Sequence, residues 1–177
     1  NLNVEKDILP LFNMTLNYNS RSTLLQLLNT KPKTLQEVID RQNIIKSFVQ
    51  QVEGKSLYNY SKTEYNEVLN TINNVESVDF LKIKFYSSVK STLESSLTQL
   101  YIFFNKIYTF LQSLEVQLFP TKFRNLLDNM IATLMSIETE KNYQFIRNRK
   151  FKSKEILNAN DLLIENKAQI NSFFEQL

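Results

Sequence analysis

From Leu93 onward, large apolar residues recur at alternating steps of four and three: Leu93, Leu97, Leu100, Phe104, Ile107, Leu111, Leu114 and Leu118. This is a heptad seam held for more than three repeats. The helical pattern reaches back to Asp79, so one helix is predicted over 79–118, roughly 60 Å long at about 1.5 Å per residue. Ile102, Phe103 and Phe110 add apolar surface on other faces. That helix is therefore expected to be embedded among several others. Phe119-Pro120 breaks it, and Thr121 is placed to cap the next. Phe123, Leu126, Leu127, Met130, Ile131, Leu134 and Ile137 give the following helix a matching face. A break this short predicts an antiparallel hairpin.

The flanking segments read in the same way. Asn1 to Met14 is a short mixed arm with Leu9, Leu11 and Phe12. Leu24, Leu25, Leu27 and Leu28 give a first helix, over 20–29, a broad apolar face. Thr34-x-x-Glu37 is a capping box that starts a second helix, after Pro32, with a stripe of Leu35, Val38, Ile45, Phe48 and Val52. Gly54 falls where that helix runs out, as a left-handed C-cap would. Ser61-x-x-Glu64 is another capping box, followed by Tyr65, Val68, Leu69, Ile72 and Val75 in a helix over 62–76. The last segment, 153–177, reads as a short turn of helix and then a longer one faced by Leu163, Lys167, Ile170, Phe174 and Leu177. The Lys167 stem is expected to lie along that face. No Gly or Pro stop follows Leu177, so the helix is expected to continue in a longer parent protein. The fold class expected is all-α: an elongated multi-helix bundle with a long antiparallel helical hairpin, in one domain over 1–177.

Composition sharpens this picture. One Gly and three Pro in 177 residues leave too few breakers for an all-β domain. With no Cys there is neither a disulfide framework nor a thiolate metal site, which suits a cytoplasmic protein. No apolar run is long enough to span a membrane, and no membrane partner is expected. The absence of His removes the commonest general base and metal ligand, and with it a Glu-x-x-His di-iron bundle. A single Gly excludes both GxGxxG and GxxxxGK[ST] phosphate loops. Ser20 has no His partner and reads as a helix N-cap. The segment is thus expected to carry no catalytic, cofactor or metal site.

Charge is concentrated. The formal net charge is +3, yet Lys141, Arg147, Arg149, Lys150, Lys152 and Lys154 form a tract with no acid among them. Without these six, 15 basic residues face 18 acidic ones. Any attraction for nucleic acid therefore sits in one place. Tyr143, Phe145 and Phe151 interleave with these charges as in single-strand binders. The competing reading is a solvated helix end.

The stretch from Leu16 to Phe48 resembles the start of the core, or lever, domain of MutS-type DNA mismatch-repair ATPases. Ser20-Arg21 stands at that family's Ser-Arg, Leu27-Leu28 at its Leu pair and Val38-x-x-Arg41 at its Ile-x-x-Arg. Asn19 replaces a Gly, Gln26 replaces an aromatic, and the loop over 30–33 is one residue longer. The resemblance covers about a fifth of the chain well. It implies a mechanical role, in which the core couples a DNA-facing end to an ATPase domain later in the same chain. ATP and Mg would bind in that downstream domain, and DNA and a second parent subunit would be further partners. The continuous helical reading leaves no place for the β-rich clamp that many members insert, so a divergent MutS-related function is expected. Arg21 and Arg41 read as pins of the first two helices, by ion pairs or carbonyl caps, with phosphate contact as the alternative. The reading outside this family is a helical protein-interaction module that uses the heptad seam.

Overall fold

Every helix start predicted from a capping box is present, because the donors left bare at a helix N-terminus take the nearest side-chain oxygen. In the computed structural model, which describes residues 29–52 and 60–176 and the separate positions 6, 21, 22, 25 and 26, the Glu37 amide donates to Thr34 Oγ1 at 3.2 Å. The Glu37 carboxylate reaches back to the Lys33 amide at 2.7 Å. The Glu64 amide donates to Ser61 Oγ at 3.0 Å. These caps open α1 (Leu35–Val52) and α2 (Lys62–Asn73). After them come α3 (Phe80–Phe85), α4 (Ser87–Gln112), a 3-10 turn (Val116–Leu118) and α5 (Thr121–Ser136). The chain closes with α6 (Thr139–Arg147), α7 (Ser153–Glu165) and α8 (Lys167–Gln176). The described residues contain no strand, and the protein is an all-α multi-helix bundle.

Two helix predictions are corrected. The single helix over 79–118 is broken at Tyr86, whose backbone is extended at φ −111°, ψ 97°, and it ends at Gln112, so that Leu118 of the seam falls in the 3-10 turn and is exposed. Extending the seam backwards from Leu93 by its own steps lands on Lys90, which is half-buried, on Tyr86, which is exposed, and then on Ile83, which is buried. The break lets Ile83 enter the core on a separate helix, α3, capped by Asp79 through the Leu81 amide at 2.9 Å. The longest helix is therefore α4, with 26 residues and a length of roughly 39 Å. At the C-terminal end the longer helix comes first. α7 has 13 residues, Asn166 ends it, and α8 has 10. The Lys167 ammonium does not stop at the apolar face but donates to the Asn73 carbonyl at 2.9 Å, capping the negative end of α2.

The heptad seam is spent inside the molecule. Leu97, Leu100, Phe104, Ile107, Leu111 and Leu114 are all buried, and Leu127, Met130 and Leu134 of α5 join them in one core. The hairpin is antiparallel: Leu114 and Phe123 share a cavity near its tip, while the Tyr101 hydroxyl meets the Ile137 carbonyl near its other end. α5 starts at Thr121 with Pro120, not Thr121, in the capping position. At the centre, Phe103 stacks on Phe174 with centroids 6.0 Å apart, and Tyr65, Phe104 and Phe173 surround them edge-on or tilted. The Tyr65 hydroxyl donates to the Phe174 carbonyl, fastening α2 to α8.

Candidate functional site

The basic tract is positioned by a buried polar knot. Where α5 ends, Glu138 adopts a left-handed conformation (φ 50°) and turns the chain into α6. The Ile137 carbonyl, left without a helical partner, accepts from Tyr101 Oη at 3.2 Å and from Asn142 Nδ2 at 3.1 Å. Tyr101 Oη also lies 3.3 Å from the Ala159 carbonyl of α7, so one hydroxyl ties three helices together. Burial holds this phenol well above its ordinary pKa. The Glu138 carboxylate adds to the rise, and the Asn142 amide opposes it. α6 then lies along α4, and Tyr108, Gln112, Tyr143 and Arg147 line a polar cleft of about 310 Å³ between them.

α6 ends in a Schellman turn. The Lys150 amide donates to the Phe145 carbonyl at 2.8 Å and the Arg149 amide to Ile146 at 3.1 Å. This motif needs a left-handed residue and usually takes Gly there, but Arg149 fills it at φ 55°. Arg147, Arg149, Lys150, Lys152 and Lys154 are all exposed along the corner where α6 gives way to α7, Arg147 also lining the cleft towards α4. Lys141 is also exposed but is engaged by Glu138 at 2.6 Å, a surface pair of little energetic weight. The aromatic interleaving predicted from the sequence does not become a stacking surface. Phe151 is buried, Phe145 packs against the core, and Tyr143 is half-buried. The corner offers charge without a platform for bases, which suits phosphate contact and not single-strand stacking.

The residues of the Leu16–Phe48 stretch fall elsewhere. Ser20, Leu27 and Leu28 lie outside the described residues, as does Gly54. Arg21 is helical and exposed, and Val38 is half-buried on α1. Arg41 Nη1 donates to the Thr30 carbonyl at 3.1 Å, so it pins the turn that leads into α1. The apolar stripe predicted for this helix is only partly its docked face: Phe48 docks and Val38 is half-buried, whereas Leu35 and Ile45 are exposed. α1 docks through Phe48 together with Ser47 and Gln51, which share one face of the helix. Ser47 Oγ donates to the Leu118 carbonyl at 2.7 Å. The Gln51 amide pairs with Glu115 in both senses: its Nε2 donates to the carbonyl at 3.5 Å, and the Glu115 amide donates to its Oε1. Phe48 packs edge-on against Phe119 at 4.9 Å and Phe123 at 5.7 Å. Sequence reasoning missed Ser47 and Gln51 because it looked for apolar partners. The available signal was a buried-capable Phe48 flanked by polar residues at i−1 and i+3.

Among the described residues, no group of three or more Asp, Glu, His or Cys side chains is arranged to hold a metal ion. No helix described is long and apolar enough to cross a membrane. Comparison with protein-family models, with curated proteins and with solved structures finds no match to this chain.

Proposed function

We propose that this chain is a helical lever segment, MutS-like in organisation, that couples an ATPase domain of the same protein to a DNA-facing end. The observation that carries the reading is the dock of α1 on the tip of the α4/α5 hairpin through Ser47, Phe48 and Gln51. It joins the stretch that carries the family resemblance to the longest rigid element of the bundle. Its two polar contacts are directional, so a shift of α1 is passed to the 113–119 turn as a unit. A cavity of about 230 Å³, lined by Phe48, Leu114, Phe123 and Met130 among others, lies beneath the dock and leaves room for Phe48 to repack. The basic corner at 147–154 is the DNA-phosphate contact in this reading. The comparisons supply no family, so the reading rests on the residues of the 16–48 stretch and on this packing.

The experiment is to follow the gene beyond the codon for Leu177 and assay its full product. The lever reading expects a strand followed by GxxxxGK[ST], and ATP hydrolysis by the longer protein but not by this segment. A gene that carries no phosphate loop there overturns it. The second reading, a helical interaction module, is favoured by one observation: Leu35, Ile45 and Val49 of α1 are exposed.

A further inference from the structure

A cavity of about 620 Å³ lies where the end of α2 and the 74–78 connection meet the first turns of α4, and it runs in to Asn160 of α7. Asn160 is 1% exposed. Its Nδ2 donates to the Glu76 carbonyl at 3.0 Å. A carbonyl only accepts, so the nitrogen has to face it, and Oδ1 is fixed on the other side of the carboxamide. That oxygen meets no hydrogen-bond partner among the described residues, which is rare for a buried acceptor. Two more lining groups are set in the same way. Thr71 Oγ1 donates to the Glu67 carbonyl at 2.9 Å, and Asn74 Nδ2 to the Asn70 carbonyl at 2.8 Å. Each has spent a donor on its own helix and keeps an oxygen that can accept. Glu76 is the only ionisable residue in the lining. The Lys167 ammonium is held at the Asn73 carbonyl, outside it. Val75, Val78, Val89 and Leu93 supply apolar walls.

We propose that this cavity binds a primary ammonium carried on a short aliphatic body. An ammonium brings three donors and no acceptor, which matches a wall whose free groups are oxygens. The exposed Glu76 carboxylate adds attraction for the charge. Ser88 and Val89 stand in the first turn of α4, whose positive end disfavours a cation. The ammonium therefore sits on the α2 and α7 side, and the aliphatic body lies along the valines and Leu93 towards α4. The volume is in the range of small-molecule sites, about 300–1,000 Å³. This site shares no residue with the α1 dock or the basic corner, so it stands whether or not the chain is a lever.

Heteronuclear NMR on the full chain, titrated at fixed ionic strength with n-butylammonium, n-butanol and butyrate, tests this. n-Butylammonium is expected to give saturable shifts confined to 70–78, 88–96 and the surroundings of Asn160, with dissociation roughly in the millimolar range for so small a ligand. n-Butanol has the same shape without the charge and is expected to bind about ten-fold more weakly, and butyrate not to bind. Glu76→Gln keeps the backbone carbonyl that orients Asn160 and is expected to weaken n-butylammonium about three-fold. Asn160→Ala is expected to weaken it at least about ten-fold. No saturable shift with n-butylammonium overturns the proposal. So does equal binding of n-butanol or butyrate, or n-butylammonium binding that either substitution leaves unchanged. Should Asn160→Ala lose helix, Glu76→Gln and the comparison with n-butanol decide.

Discussion

Tyr101 shows how much one side chain can fix. Its hydroxyl serves the carbonyls of Ile137 and Ala159 in a site without water access. The two carbonyls share one hydroxyl proton and Ile137 keeps Asn142 as a donor, so Tyr101→Phe is expected to cost about 0.5–1.5 kcal/mol in chemical denaturation. It should also change the alkaline limb of stability. In the folded state the phenol holds its proton above the ordinary range, whereas the unfolded chain releases it near about pH 10. Above that pH the folded state binds more protons than the unfolded one, so stability falls as pH rises. Tyr101→Phe should reduce that alkaline loss, with Tyr65, also raised by burial, accounting for part of what remains. Arg149 makes the opposite kind of statement. It holds a left-handed position that Gly would fill without strain, so Arg149→Gly is expected to stabilise the fold by roughly 1 kcal/mol. In the proposed function it weakens DNA binding at the same time. A variant that is both less stable and no weaker in binding would count against any functional role for this side chain.

Among the elements, the hairpin and the capped helix starts were legible because local chemistry decides them. Thr34-x-x-Glu37, Ser61-x-x-Glu64 and the seam from Leu97 to Leu114 each carry their own signal. Leu100→Ala is accordingly expected to cost about 2–5 kcal/mol, read from the shift in the denaturation midpoint. The break at Tyr86 was less legible, since a helical pattern can run on through the half-buried Lys90 and the exposed Tyr86. The basic corner was found by charge alone, and the burial of Phe145 and Phe151 beside it depends on tertiary packing that alternation with Lys and Arg conceals. The dock of α1 was hidden because its specificity is polar: Ser47 and Gln51 bond to the carbonyls and amide of a turn more than 60 residues away. Gln51→Ala should remove both bonds and cost about 1–2 kcal/mol. Its distinguishing effect is faster amide exchange in the 113–119 turn, which simple loss of global stability would not confine to that place.

At the scale of the molecule, one end of the bundle bears the α1 dock and another corner bears the positive charge. If Arg147, Arg149, Lys150, Lys152 and Lys154 neutralise duplex phosphates, the slope of log affinity against log salt is about −0.9 per contact. Reversing Arg149, Lys150 and Lys152 together should flatten that slope by close to three such contacts. Equal binding by both chains would return the corner to plain solvated surface. The central claim is mechanical, and hydrogen exchange on the full gene product, with and without a non-hydrolysable ATP analogue, tests it most directly. The account predicts that nucleotide changes protection in α1 and in the 113–119 turn together, and that Gln51→Ala leaves the α1 change while removing the one in the turn. Nucleotide binding with no change in either, or a change in the turn that survives Gln51→Ala, would contradict it.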